Sequence, residues 1–311
     1  METIPPKVNG KIFVIDHNFL GINGAIASYL IPHSSGAALI ESGPGSTIEN
    51  LTQGLAAQGY APSDVTDVLL THIHLDHAGA AGMLARSGAR IHVHHVGAPH
   101  LVDPDKLLAS AARIYGDQME VLWGEFLPVP SRMINEVADG DIIQVNELQF
   151  RAIDTPGHAN HHHAYIFADV CFSGDISGIR MHALRHIRLP MPPPEFNLDL
   201  WRDSQNKLCH EFEKGAFTRI APTHFGIFED TEWHLNEIEK ALDEVELWIE
   251  QVLPNDPSLD DLNEMFLEWT RERSLEQGLD PEQLDPYEAA NPSWMSTYGI
   301  ERYWRKIRGR R

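Results

Sequence analysis

Cysteine is nearly absent: two residues, Cys171 and Cys209, in a chain of 311. Two thiols cannot build a disulfide framework, so the chain must fold on its hydrophobic core, and a reduced, cytoplasmic setting is expected. The N-terminal METIPPKVNGKIFVID has neither the basic stretch nor the apolar stretch of a secretory leader, which points the same way. No apolar run approaches the roughly 20 residues that span a bilayer, so no membrane partner is expected. Bases are scarce too. Lys and Arg number 24 against 45 Asp and Glu, a net charge of -21, and a surface of that sign repels phosphate backbones and counts against a nucleic-acid partner. The one basic run, RYWRKIRGRR at residues 302–311, reads as a solvated helix end that pairs with nearby acids. Internal repeats and low-complexity tracts are also missing.

What is abundant is a 42% hydrophobic content, enough for one large core. Short strand-like runs alternate with helical stretches: KIFVID, IASYLI, AALIES, DVLL and RIHVHH, then DIIQV, LQFRAID, the hairpin HAYIFADVCFSGD, and TRIAPTH. Residues 47–58 read as a helix capped by Ser46 or Thr47. Residues 103–130 read as a helical insertion, and helices fill the chain after 229. The expected organisation is one large strand-and-helix domain over 1–228 with a helical C-terminal extension over 229–311.

Eighteen histidines are unevenly spread, and THIHLDHAG at 71–79 holds three of them with an aspartate. His72 and His74 stand two apart at the end of an extended segment, so both side chains leave on one side and can reach one ion. Asp76 and His77 follow where the chain turns into a helix, and they suit a second ion close by. Zinc takes nitrogen, thiolate and carboxylate ligands and keeps a position open for water in catalytic sites. Further ligands are therefore needed, and three strand ends offer them: His158 in DTPGHANHHHAY, Asp175 in CFSGD and His224 in APTHFG. His92, His94 and His95 read as structural, Cys171 as a buried inert thiol, and His162 as an orienting partner rather than a ligand.

This set resembles the metallo-β-lactamase superfamily, from its HxHxDH signature through the four ordered partner motifs, including the acidic-glycine turn ESGPGS at 41–46. The resemblance implies a four-layer αββα sandwich of the α/β class. It also implies that His72, His74 and His158 hold one metal, that Asp76, His77 and His224 hold the other, and that Asp175 bridges them. Two divalent transition-metal ions are expected, zinc first, with iron or manganese accepting the same ligand types. Two ions, two carboxylates and a bridging hydroxide leave about one positive charge facing the pocket, which favours a developing oxyanion. The expected enzyme is a metallo-hydrolase of an ester, thioester, lactone or phosphoester, with Asp76 orienting the water as well as binding metal. The alternative is a persulfide dioxygenase of the same superfamily, using one iron, His158, Asp175 and a histidine of the first group.

Departures narrow the choice. True β-lactamases of the superfamily carry cysteine at the position of Asp175, flavodiiron proteins carry glutamate at that of His74, and homoserine lactonases carry tyrosine at that of Gly178. Glyoxalase II is close in its metal motifs, but its glutathione contacts have no match. The expected partner is a small-molecule substrate, held under the insertion, residues 177–190 and the C-terminal helices, with Tyr115, Trp123, His182, Arg185 and Phe225 as candidate contacts. A homodimer stays open.

Overall fold

The aliphatic runs assemble into two facing sheets in the computed structural model, which describes residues 10–181 and 184–308. The first sheet orders β1 (Phe13–Asp16), β2 (Ala27–His33), β3 (Gly36–Ile40), β4 (Val65–Leu69), β5 (Arg90–His94) and β6 (Ile134–Val137). Its first three strands are antiparallel hairpin partners, and β3 to β6 run parallel. The second sheet comprises β7 (Ile142–Val145), β8 (Leu148–Asp154), β9 (His163–Phe167), β10 (Val170–Phe172) and β11 (Arg219–Ala221), ordered β11-β10-β9-β8-β7. Only the β10–β11 pair in this sheet is parallel.

Strand periodicity decides which side chains fill the space between the sheets. In β7 alternate residues are buried, so Ile143 and Val145 face inward while Ile142 and Gln144 face solvent. β9 is buried at all five positions because helices cover its other face. The inter-sheet layer joins Tyr29, Ile31 and Ile40 of the first sheet to Phe150, Tyr165, Phe167 and Phe172 of the second. Tyr165 donates its hydroxyl to the Leu70 carbonyl at 2.9 Å, tying the second sheet to the chain immediately before the histidine motif.

Outside the first sheet pack α1 (Ile48–Ala57), α2 (Leu75–Ala78), α3 (Ala81–Arg86), α4 (Ala98–Val102), α5 (Asp105–Tyr115) and α6 (Met119–Trp123). Outside the second pack α7 (Leu198–Glu213), α8 (Thr231–Val252), α9 (Leu259–Glu276), α10 (Leu284–Ala290) and α11 (Ser293–Lys306). The inner faces of α7, α8, α9 and α11 share one apolar cluster with Ile153, Ala164, Ile166, Cys171 and Ile220 of the sheet. These four layers, helix, sheet, sheet, helix, are the expected αββα sandwich. Among the described residues no helix is long and apolar enough to cross a membrane.

Local expectations fare unevenly. Thr47 sits at the N-terminus of α1, but its hydroxyl bonds His17 at 2.8 Å and the Pro44 carbonyl, so it caps nothing. Ser46 donates to the Leu122 carbonyl at 2.6 Å instead, pinning the turn to the insertion. The insertion is two helices, α5 and α6, broken at Gly116, whose φ of 53 lies in the left-handed region. The basic C-terminal helix end is neutralised as expected: Arg305 pairs with Asp256 and Glu301, and Arg308 with Glu246 and Glu250 of α8. Residues 309–311 lie outside the described residues. Cys171 is fully buried in β10, where burial pushes its thiol up to about 12, and both cysteines are free.

Candidate metal centre

Four strands end at one edge of the sandwich and deliver the site. After β4, Thr71 and His72 continue into His74, which precedes α2, and α2 carries Asp76 and His77. His158 follows β8, Asp175 follows β10 and His224 follows β11. Strand ends suit this task because their backbone is held by the sheet while their side chains are free to converge. Gly174 lets Asp175 approach: a Cβ there would stand 2.5 Å from His162 Nε2 and 2.6 Å from Thr71 Oγ1, on a backbone with φ +53.

The seven side chains form two adjoining groups, His72, His74 and His158, and Asp76, His77, Asp175 and His224. In the first, His72 Nε2 and His158 Nε2 each lie 2.9 Å from His74 Nδ1. In the second, His77 Nε2 lies 3.4 Å from Asp76 Oδ2 and 3.3 Å from Asp175 Oδ1, while His224 Nε2 lies 3.3 Å from Asp76 Oδ2 and 3.6 Å from Asp175 Oδ1. Ligand atoms around a tetrahedral zinc at 2.0–2.1 Å stand about 3.3 Å apart, so these spacings are within a few tenths of an ångström of a ligand shell. Asp175 also reaches toward the first group, its other oxygen, Oδ2, lying 3.4 Å from His158 Nε2.

Tautomers test whether a cation fits. His158 donates Nδ1–H to the Pro190 carbonyl at 2.9 Å, and His224 donates Nδ1–H to the Ala25 carbonyl at 2.7 Å. His77 Nδ1 points at Glu41 Oε1, 3.1 Å away. Thr71 gives its hydroxyl proton to Glu41 and faces His72 Nδ1 at 3.1 Å as acceptor. In the neutral rings the remaining nitrogens of these four histidines, all Nε2, are then bare lone pairs, and three of them, on His77, His158 and His224, face carboxylates. Lone pair against lone pair at 3.3 Å in a buried site is repulsive unless a metal ion or a second ring proton stands between. His77 Nε2 and Asp175 Oδ1 are in fact buried without a hydrogen-bond partner. Each of the two groups has a donor set that could hold a metal ion.

The electrostatics divide along the same line. Burial, reinforced by the neighbouring imidazoles, holds His72 and His74 well below the usual histidine range, so both stay neutral and available. Burial also lowers His158. It acts downward on His77 and His224 as well, but the charges of Asp76 and Asp175 outweigh it and raise both. Burial pushes Asp175 upward, and His77, His158 and His224 reverse that and hold it below the carboxylate range.

Glu41 organises the centre without joining either group. It is fully buried at a positive φ of 62 and accepts from Thr71, Thr223 and His77. In the sequence it stood out only as part of the ESGPGS turn. His162 takes the orienting place expected of it, accepting the Asp175 amide at 3.1 Å while its Nδ1 meets Thr155 Oγ1. A third group, His94, Asp154 and His163, has ligand-like spacing. There, however, His94 Nδ1 accepts the Val96 amide, so Nε2 carries the proton and donates to Asp154 at 2.8 Å. That pair is satisfied as a hydrogen bond.

A cavity of about 290 Å³ opens onto His74, Asp76, His158, Asp175 and His224. Its walls are mostly apolar, from the insertion on one side and the α10–α11 junction on the other. Tyr115 and Trp123 line it, packed on each other at 5.0 Å between ring centres, and Tyr115 donates to Met295 Sδ at 3.4 Å. Two other expected contacts lie elsewhere. Arg185 is exposed, held over Trp233 and paired with Asp230, which also takes the buried Arg180. Phe225 packs in the inter-sheet layer. His182 lies outside the described residues. Wall residues that the sequence did not single out include Lys106, His161, Glu195, Trp294 and Met295. They come from segments far apart in the chain, and no local spacing marks them.

The profile of the metallo-beta-lactamase superfamily matches residues 21–210. The chain belongs to this superfamily. A metallo-beta-lactamase family protein from Thermus thermophilus superposes with a TM-score of 0.67 over 95% of this chain and 93% of its own, at 19% identity, which supports the shared fold. The atrochrysone carboxyl ACP thioesterase of Aspergillus fumigatus is 30% identical over 151 residues, 48% of this chain and 38% of that protein. A hydroxyacylglutathione hydrolase of Rhodopseudomonas palustris is 32% identical over 105 residues, 34% of this chain and 30% of that protein. The chain thus spans less than half the length of these curated relatives. Its histidine and aspartate groups could hold metal.

Proposed function

We propose that this chain is a binuclear metal-dependent hydrolase that cleaves an ester or thioester in the pocket above Asp76 and Asp175. The observation that carries the proposal is the span of Asp175, with one carboxylate oxygen 3.3 Å from His77 and the other 3.4 Å from His158. A single carboxylate that addresses two groups is what two ions a few ångströms apart require, since it cancels part of their repulsion. His72, His74 and His158 would hold one ion and Asp76, His77 and His224 the other, with zinc the first choice and iron or manganese suited to the same donors. Bound there, two divalent ions supply a nucleophile at neutral pH by lowering the pKa of water to about 7, and positive charge for the leaving atom.

The protein residues divide the remaining work. Asp76 is the more accessible carboxylate, with its side chain 17% exposed against 4% for Asp175. It therefore orients the attacking water, while Asp175 sets spacing. The apolar walls exclude bulk water from the reacting bond and strengthen every electrostatic interaction inside. The names of the two relatives, a thioesterase and a hydrolase, favour acyl transfer over phosphoryl transfer.

Elemental analysis and ester hydrolysis on wild type and Asp175→Asn test the reading. Wild type is expected to hold close to two transition-metal ions, and the variant one, with hydrolysis lost and circular dichroism unchanged. A variant that keeps two metals and normal turnover would overturn it. A wild type holding one tight iron, with no gain on adding zinc or manganese, would point to the persulfide dioxygenase instead.

A further inference from the structure

Resting on that hydrolase reading, we infer that the substrate carries a flat aromatic group beside the bond that is cleaved, recognised by a row of aromatic side chains in the cavity wall. The cavity that opens onto the metal centre is also lined by Phe19, Trp123, Tyr115 and Trp294. These come from separate segments, the turn after β1, α6, α5 and α11, and their rings touch in series. Phe19 stacks on Trp123 at 5.7 Å between ring centres with 16° between the planes, Trp123 meets Tyr115 edge-on at 5.0 Å, and Tyr115 meets Trp294 edge-on at 6.1 Å. Phe19 and Trp123 are buried and back the row. Tyr115 and Trp294 are only half-buried, so ring surface remains for a ligand. The Tyr115 hydroxyl already donates to Met295 Sδ, which ties its ring to α11.

A wall of this kind discriminates by shape and ring electronics. Aromatic rings favour other rings, offset or edge-on, over saturated groups of the same size, because the ring quadrupoles add to area burial. Charge on the wall offers little competing recognition. Lys106 is the one Lys or Arg among the described wall residues and is exposed, so no arginine fork stands among them to grip a carboxylate or phosphate. Glu195 is taken by His161 at 3.2 Å and by the Asn160 amide at 3.1 Å. Volume sets the size of the ligand. The cavity of about 290 Å³ is close to twice one of about 150 Å³ that binds benzene, which leaves room for one or two rings next to the reacting bond.

Two matched pairs of thioesters test it: the phenylacetyl and cyclohexylacetyl thioesters of methanethiol, and the benzyl and cyclohexylmethyl thioesters of acetic acid, with S-methyl thioacetate as the small reference. Each kcat/KM is divided by the same compound's rate with hydroxide. The members of a pair differ in flatness and hardly in size, so burial alone treats them alike. With zinc-loaded wild type, the aromatic member of one pair is expected to exceed its saturated partner about 2- to 10-fold, and that pair names the side of the bond on which the ring sits. It should exceed S-methyl thioacetate about 10- to 100-fold. Trp294→Leu and Tyr115→Leu keep apolar bulk and should bring the aromatic-to-saturated ratio toward one, whereas Trp294→Phe should keep most of it; circular dichroism checks that each variant folds. The inference is overturned if wild type prefers the aromatic member in neither pair, or if both leucine variants keep the wild-type ratio. Hydrolysis without that preference leaves the hydrolase reading standing, whereas no hydrolysis of any of these thioesters removes both.

Discussion

Replacing Glu41 with Gln probes the part of the centre that touches no substrate. The Glu41 carboxylate receives four donors: the Thr71 hydroxyl at 2.5 Å, the Thr223 hydroxyl at 3.0 Å, His77 Nδ1 at 3.1 Å and the Thr71 amide at 3.3 Å. A carboxylate can accept all four, but an amide has one accepting oxygen and two protons of its own. If the Gln oxygen takes the Oε1 place, its NH₂ meets the Thr71 amide donor to donor. If it turns over, the NH₂ faces His77 and both hydroxyls. Even in the better orientation, three bonds to a charged group weaken from about 1.5–3 to about 0.5–1.5 kcal/mol each, a total of about 3–4 kcal/mol. At about 2 °C per kcal/mol for a chain of this size, the zinc-loaded protein should melt about 6–8 °C lower. Because His77 also loses its orienting partner, metal affinity at its group should fall about 10- to 100-fold. Thermal denaturation and metal titration read the two effects separately. A variant within about 1 kcal/mol of wild type, with unchanged metal affinity, would refute the assignment of Glu41 as the organiser of His72 and His77.

Gly174→Ala should lose at least about 2 kcal/mol in denaturant titration, through a positive φ and a Cβ pressed on His162 and Thr71. Its hydrolysis should drop about 100-fold as Asp175 is displaced, and wild-type activity would show that the turn can relax. Chelation should abolish hydrolysis and lower the melting temperature, with zinc restoring both, and activity surviving complete metal removal would contradict the centre. His17 is buried between Thr47 and Ser28, and burial lowers it to about 3. The unfolded chain binds a proton there below about 6.5 and the folded protein does not, so the stability tied to His17 is intact above that pH and drains as pH falls toward 3. Metal-free His17→Gln should therefore lose stability between about pH 6 and 4 less steeply than wild type, by about 1.4 kcal/mol per pH unit. Equal slopes would mean that His17 is protonated in the fold.

How much could be read from the sequence depended on how local each signal was. The seven side chains of the centre were legible because each sits in a short strand-end segment whose spacing constrains it, as in His72-x-His74 at the end of β4. The strands were legible where aliphatics alternate or cluster. β6, with INEV and no clean period, was not, since a short edge strand paired on one side only is specified mainly by its neighbour β5. The pocket was the least legible part. Tyr115 and Trp123 line it because the insertion itself forms the wall, but Arg185 is drawn away by Asp230 and Phe225 by the inter-sheet layer. Trp294 and Met295 meet Tyr115 across some 180 residues of chain, a pairing created by packing alone.

That last contact separates two events during synthesis. Every side chain of the metal centre has been translated by His224, whereas the far wall of the pocket, at Ala289 to Met295, emerges about seventy residues later. On the proposed reading, an emerging chain would complete its metal centre before the wall that bounds the substrate, and a product interrupted between those points would lack that selection. Stopping in α8 or α9 also leaves the outer face of the second sheet half covered, with Ile153, Ile166 and Ile220 stripped of part of their apolar cover. Such a fragment is expected to be unstable as well as indiscriminate, so quality control that removes incompletely folded chains removes the unselective catalyst with them.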